Sequence, residues 1–92
     1  MAFQASVMDS RVMNPVQIST LKAVLSANIK ARRKELGISQ EKLALVSGVD
    51  RSYMSEIERQ IANPSIDALL RISNALQIAP AQLLELQQAD CA

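Results

Sequence analysis

The stretch SQEKLALVSGVDRSYMSEIER, residues 39 to 59, contains Gly48, one of only two glycines in a chain of 92 residues. A short helix-like run lies on each side of this glycine. Ser39 is placed to cap the first run and Asp50 the second, because short polar side chains accept hydrogen bonds from the free N–H groups at a helix start. Only residues 47 to 50 separate the runs. So short a connection predicts two helices that cross steeply, with Gly48 supplying a positive φ between them.

The side chains around this turn have the spacing of a helix-turn-helix. Ala44 lies one turn before Gly48 and is small enough to let the two helices approach each other. We expect four apolar side chains to fill the wedge between the helices: Leu43, Val49, Met54 and Ile57. An ordinary helical hairpin within a bundle is the alternative interpretation of this pattern.

Helical patterns also lie on both sides of this motif. Residues 20 to 36 carry an apolar stripe that ends at Gly37, and Pro15 is an alternative start for this helix. Downstream, Ser65 is placed to cap a helix over residues 66 to 76, and Pro80 opens a last helix with the sequence PAQLLELQQ. The sequence shows no strand-like alternation, so it predicts an all-α fold of five helices.

The predicted domain organisation is simple. The helix-turn-helix, at about residues 39 to 59, lies within a single helical domain over residues 20 to 88. An N-terminal arm, mobile or partly helical, precedes it over residues 1 to 19, and a C-terminal tail follows over residues 89 to 92. Apolar residues make up 49% of the chain but include one Tyr and one Phe, so we expect an aliphatic core.

The charge of the chain is close to balanced, at +1 overall. Residues 30 to 59 carry seven Lys/Arg against five Asp/Glu, whereas the rest of the chain carries three against four. This asymmetry is compatible with a polyanion partner and also with a solvated helix face.

Cysteine and histidine usage excludes several kinds of site. The chain has a single cysteine, Cys91, and no histidine. Zinc sites of the Cys/His type, Ser-His-Asp triads and Cys-His dyads are therefore impossible within it, and we expect no metal, no cofactor and no enzyme activity. The sequence contains neither a signal peptide nor an apolar run long enough for a membrane span, which predicts a cytoplasmic protein without a membrane partner.

Two residues of opposite charge fall on the inner stripes of their helices. Arg33 lies one turn beyond Ile29, and Glu58 lies one turn beyond Met54. Burial of an unpaired charge is costly, so we expect Arg33 and Glu58 to pair and to fix the third helix against the first. The alternative is that Arg33 and Glu58 do not pair and that each side chain extends separately to solvent at the edge of the core.

The opposite side of the third helix carries polar residues. Its exposed face is predicted to contain Arg51, Ser52, Ser55, Glu56 and Arg59, with Tyr53 at the edge. Arginine can donate two hydrogen bonds to a guanine in the major groove, and serine can hydrogen-bond to the edges of several bases. Arg59 at one end and Gln40 at the start of the preceding helix are candidates for phosphate contacts. A solvated face is the alternative interpretation.

At these residues the chain resembles a known family. ARRKELGISQEKLALVSGVDRSYMSEIERQIANPSIDALLRISNALQI, followed by LLE, is similar to the five-helix DNA-binding domain of the Cro and phage-repressor (Xre-type) regulators. Within that family, GVDRSYMSEIER is similar to restriction–modification controller proteins and to small bacterial repressors. The resemblance covers about residues 24 to 86.

The resemblance implies a role for particular residues. It implies phosphate or backbone contacts by Gln40, Arg59 and Asn63, and it also implies the Arg33–Glu58 pair. The residues that it places against bases or nearby backbone are Arg51, Ser52, Tyr53, Ser55 and Glu56. Such domains usually bind double-stranded DNA as homodimers, with the fifth helix at the interface.

The chain departs from the family pattern at several positions. Gln60 and Gln77 occupy places where a glycine is usual, so either a left-handed cap costs about 1 kcal/mol there or the helices end differently. Leu45 and Val46 either pack against another helix or form a docking site for the N-terminal segment. Glu56 either accepts a hydrogen bond from cytosine or rejects wrong bases.

The last predicted helix carries more leucine than one small domain needs to bury. We expect a symmetric homodimer interface formed by Ile78, Leu83, Leu84 and Leu86. The alternative is that the leucines are all core and that the protein acts as a monomer.

The sequence therefore predicts a transcriptional regulator that binds a pseudo-palindromic operator as a homodimer, with no small-molecule effector. An antitoxin or a protein-interaction adaptor with the same fold is the alternative.

Overall fold

A computed structural model describes residues 16 to 86, and this part of the chain contains five helices and no strand. In chain order they are α1 Ile18–Leu36, α2 Gln40–Ser47, α3 Arg51–Glu58, α4 Ile66–Leu76 and α5 Pro80–Leu83. The predicted all-α fold is confirmed. The helix α1 begins two residues before the predicted arm ends, while residues 1 to 15 of that arm and the predicted tail lie outside the described residues.

The helix starts carry the predicted caps. Ser39 Oγ accepts a hydrogen bond from the Lys42 N–H at 2.9 Å, and Asp50 Oδ2 accepts one from the Ser52 N–H at 2.9 Å. Ser65 Oγ accepts from the Ala68 N–H at 3.0 Å. Each bond satisfies a donor that would otherwise lack an intrahelical partner, so the local sequence sets where α2, α3 and α4 begin.

The turn between α2 and α3 has the expected conformation. Gly48 has a φ of +74°, and Ala44, one turn earlier, is buried against the crossing helix. A Cβ at Gly48 would lie 3.3 Å from Arg71 Nη1, the end of a flexible and half-exposed side chain that can move aside, so the positive φ is what favours glycine at this position.

The core is aliphatic and lies where the five helices meet. The helix α3 packs on α1 and α2, and α2 packs on α4. The fully or nearly fully buried apolar side chains are Leu25, Ile29, Leu43, Ala44, Val49, Met54, Ile57, Ala68, Ile72, Leu76 and Leu83. The four predicted wedge residues belong to this core. Among residues 16 to 86, no helix has the length and apolar character needed to cross a bilayer.

Both glutamines at the usual glycine positions adopt left-handed backbone conformations. Gln60 has a φ of +67° and Gln77 a φ of +61°. Each lies where the chain leaves a helix: the Ile61 N–H donates to the Glu56 carbonyl at 2.8 Å, and the Ile78 N–H donates to the Ser73 carbonyl at 3.0 Å. The first of the two alternatives for these positions is therefore correct, and both positions are strained.

We expect Gln60→Gly and Gln77→Gly each to raise the free energy of unfolding by about 1 kcal/mol, because glycine removes the Cβ clash of the left-handed region. Asn74→Gly is the control, since it places glycine inside α4 and should lower stability by about 0.3 kcal/mol. Chemical denaturation of the three variants measures these effects. A loss of stability in both glutamine variants would show that the left-handed conformation of Gln60 and Gln77 is not strained.

The last helix is shorter than predicted. The helix α5 ends at Leu83 after one turn, whereas the sequence predicted that it would continue through residue 88. The side-chain amide of Asn28 on α1 donates to the carbonyl oxygens of Gln82 at 3.2 Å, Leu83 at 2.8 Å and Glu85 at 3.1 Å. These contacts bind carbonyls that a longer helix would use internally.

The short α5 changes the assignment of its leucines. Leu83 is fully buried and belongs to the core, so its predicted place on an exposed interface is wrong. Leu84 and Leu86 remain exposed, and Ile78 is half-buried against the core.

The apolar pair on α2 is also corrected. Leu45 and Val46 are both exposed, because they lie on the side of α2 opposite Leu43 and Ala44. Their interpretation as helix-packing residues is therefore wrong. Their other predicted role involves the N-terminal segment, most of which lies outside the described residues.

Candidate nucleic-acid interface

The helix α3 divides into a buried and an outward face. Met54 and Ile57 are buried among the core side chains. On the opposite side, Arg51 and Ser52 are exposed at the first turn, and Ser55 is half-buried one turn later. The helix is thus held from one side and presents polar groups on the other.

One open cleft collects most of the side chains that the sequence singled out. Its volume is about 430 Å³. It is lined by Gln40, Arg51, Ser52, Ser55, Glu56 and Arg59. Donors and acceptors from the start of α2 and along α3 therefore face the same space. Three of these residues carry charge: the cations Arg51 and Arg59 and the carboxylate Glu56.

Two other predicted residues lie outside this cleft. The Tyr53 hydroxyl oxygen accepts a hydrogen bond from the Ser65 N–H at 3.2 Å, so this ring ties α3 to the start of α4. Asn63 is exposed in the loop between α3 and α4, where it lines a separate apolar groove with Pro64 and Leu69.

A buried ion pair fixes α3 against α1. Arg33 Nε lies 2.9 Å from Glu58 Oε2, and Arg33 Nη2 donates to Glu58 Oε1 at 2.9 Å. The Glu58 side chain is 2% exposed and that of Arg33 is 19% exposed. Arg33 Nη1 also donates to the Ile38 carbonyl at 3.1 Å. The two inward-facing charges therefore meet in a two-pronged contact, the strong geometry for arginine and carboxylate.

Gln40 takes part in this network, which the sequence reasoning missed. Its Nε2 donates to Glu58 Oε1 at 3.1 Å. One carboxylate thus joins α1, the start of α2 and the end of α3. An amide nitrogen carries two hydrogens, so Gln40 retains a second donor for the cleft. The orientation of Gln40 and that of α3 are consequently linked.

A second missed contact joins the first turns of α2 and α3. Arg51 Nη1 lies 3.4 Å from Glu41 Oε2, and both side chains are mostly exposed. The only signal in the sequence was the opposite charge of two residues near the starts of adjacent helices. The arginine best placed to reach outward is therefore paired within its own chain. Among the described residues, no cluster of three or more Asp, Glu, Cys or His side chains is arranged to hold a metal ion.

Comparisons with known proteins agree with this geometry. The family described as Helix-turn-helix matches residues 29 to 83. A hypothetical transcription factor from Neisseria meningitidis serogroup B is 41% identical over 64 residues, which cover 70% of this chain and 60% of that protein. The control protein C.SmaI of Serratia marcescens is 33% identical over 67 residues, which cover 73% of this chain and 80% of that protein. The chain thus spans less than two thirds of the Neisseria relative.

Solved structures show the same likeness. The crystal structure of the hypothetical transcription factor NHTF from Neisseria matches with a TM-score of 0.74 and 34% identity, covering 86% of this chain and 91% of that one. The restriction–modification controller protein C.AhdI from Aeromonas hydrophila matches with a TM-score of 0.65 and 37% identity, covering 67% of this chain and 94% of that one. The chain therefore belongs to the helix-turn-helix family of Xre type, whose members similar to it include controller proteins and other transcription regulators.

Proposed function

We propose that this protein is a transcriptional regulator that recognises a specific sequence in double-stranded DNA. The observation that carries the proposal is the cleft along α3, where six polar side chains face one space while Glu58 anchors the same helix from behind. A helix with its side chains is about 10–12 Å across and the major groove is about 12 Å wide, so α3 can enter it.

The proposed contacts follow from the position of each side chain. Arg51 reads a guanine near the start of α3, and Ser52, Ser55 and Glu56 face neighbouring base edges. Gln40 and Arg59, which both line the cleft, bind phosphates and set the register of the helix. Tyr53 at the edge of α3 and Asn63 in the following loop lie along the backbone of the DNA. This arrangement requires no cofactor, no metal and no small-molecule effector.

We further propose that two copies act together on a pseudo-palindrome. The exposed Leu84 and Leu86, with the half-buried Ile78, supply apolar surface near residue 86, where the described part of the chain ends. Ile18 at the start of α1 is exposed as well, and it shares an apolar groove with Leu84. A dimer through this surface would place two α3 helices on half-sites about 34 Å apart. Such a regulator acts in the bacterial cytoplasm, where the chromosome lies.

Selection of bound duplexes from a random pool tests the function. We expect enrichment of one sequence with two inverted half-sites, and we expect its affinity to fall steeply as salt rises, because phosphate contacts release counterions. A pool that remains unenriched after repeated selection would contradict the proposal.

The dimer is tested by Leu86→Asp. We expect the dimer dissociation constant to rise at least about tenfold, because a carboxylate replaces apolar surface at the interface. Ile66→Asp is the matched control, since Ile66 is an exposed apolar residue at the start of α4 and outside the proposed interface. Analytical ultracentrifugation at micromolar concentrations measures both variants. A wild-type protein that stays monomeric, free and on DNA, would contradict the homodimer.

A second candidate function is that of an antitoxin or adaptor that binds another protein. The exposed neighbours Leu45 and Val46 favour it, because adjacent aliphatic side chains on a small domain are unusual without a partner. A protein that copurifies with the chain and is lost in Leu45→Asp, while DNA binding is kept, would support this function.

A further inference from the structure

Glu41 is the acidic residue that faces the proposed base-reading arginine. It is the second residue of α2, next to Gln40, and its Oε2 lies 3.4 Å from Arg51 Nη1. Two other carboxylates lie near Arg51. Asp50 Oδ2 accepts hydrogen bonds from the Ser52 and Tyr53 N–H groups, and Glu56 lines the same cleft as Arg51, whose ion pair is with Glu41. Asp50 is thus occupied as a cap, whereas Glu41 has its charge directed at the guanidinium.

We propose that Glu41 is a specificity-determining positioning residue that keeps Arg51 away from DNA of the wrong sequence. The inference rests on the proposed function and deepens it, because it assigns a role in selectivity to a residue that lies beside the cleft and contacts one of its arginines. Glu41 acts through Arg51 and needs no contact with a base.

The argument compares the partners available to Arg51. An exposed ion pair between flexible side chains is weak, so it is readily exchanged for a better partner. A guanine offers two acceptors that match the guanidinium fork, and this contact is stronger than the pair with Glu41. Any other base pair does not offer Arg51 this pair of acceptors, so Arg51 remains paired with Glu41. The exchange therefore takes place only on the preferred sequence.

The closed pair adds a second contribution in the same direction. On DNA of the wrong sequence the pair stays closed, and Arg51 contributes no free positive charge to the backbone. Non-specific binding, which depends on such charges, is thereby weakened.

The test is Glu41→Gln, which keeps the size of the side chain and removes its charge. The matched control is Glu35→Gln: the Glu35 side chain is 65% exposed against 66% for Glu41, and it pairs with Arg32 at 2.9 Å on α1, outside the cleft. Fluorescence anisotropy with the selected duplex and with a scrambled duplex measures both affinities. We expect Glu41→Gln to reduce the ratio of the two affinities by about three- to fivefold relative to Glu35→Gln, mainly through tighter binding of the scrambled duplex.

The same pair of measurements in an Arg51→Ala background shows whether Glu41 acts through Arg51. We expect Glu41→Gln to leave the affinity ratio unchanged there, since the group that Glu41 restrains is gone. An undiminished effect without Arg51 would overturn the positioning role, and so would equal ratios for Glu41→Gln and Glu35→Gln in the otherwise wild-type chain. Wild-type protein that binds both duplexes equally would overturn the proposed function itself, which is a different result.

Discussion

Arg33→Ala should lower the free energy of unfolding by about 3–5 kcal/mol, because it leaves the carboxylate of Glu58 buried without its cation. Glu58 is 2% exposed, and the Gln40 amide is a neutral partner that cannot replace the two-pronged guanidinium contact. Denaturant unfolding followed by circular dichroism measures the loss. A loss of this size would place much of the stability of a small domain in one contact.

Two further variants make this prediction specific. Arg71→Ala breaks an exposed pair with Asp67 whose atoms are 2.8 Å apart, and it should cost under about 1 kcal/mol. Replacing Arg33 by Met and Glu58 by Leu together should recover much of the loss, because no buried charge then remains. Additive effects of the two single truncations would show that the pair contributes no coupling energy.

Arg51→Ala should weaken binding to the preferred duplex by about 1–3 kcal/mol, or about 5- to 150-fold, and should relax the preference at one base pair of each half-site. The reason is its exposed position at the first turn of α3, where its ion pair within residues 16 to 86 is the weak one with Glu41. Titration against duplexes that differ at each position of the site measures both effects.

Arg59→Ala provides the contrast, since Arg59 follows α3 at the other end of the cleft. We expect it to weaken binding to all duplexes to a similar degree and to reduce the salt dependence of the affinity. If Arg51→Ala and Arg59→Ala weakened preferred and scrambled duplexes in the same proportion, the proposed division between base and phosphate contacts would be wrong.

Features that depend on neighbouring residues could be predicted from the sequence. Ser39, Asp50 and Ser65 cap the helices they were expected to cap, because a cap involves groups two or three residues apart. The positive φ of Gly48 followed from the length of the turn. The contact of Arg33 with Glu58 spans 25 residues, yet it could be predicted because two opposite charges on inner stripes have few other ways to be satisfied.

Features that depend on distant contacts could not be predicted. The early end of α5 involves an Asn28 side chain 55 residues away from Leu83, and nothing near Leu83 in the sequence marks that contact. Leu83, which the sequence reasoning placed against the core and also at the dimer interface, lies wholly in the core. The contacts of Gln40 with Glu58 and of Glu41 with Arg51 depend on the angle between α2 and α3, which sequence spacing alone does not give.

The central claim is that α3 reads a DNA sequence. The most direct measurement is the ratio of affinities of the full chain for its selected duplex and for a scrambled duplex of the same length, at about 0.15 M salt. We expect a ratio of about a thousand or more, as for specific binders in general. A ratio near one, with both affinities falling in parallel as salt rises, would show that the cleft recognises only the phosphate backbone and would contradict the claim.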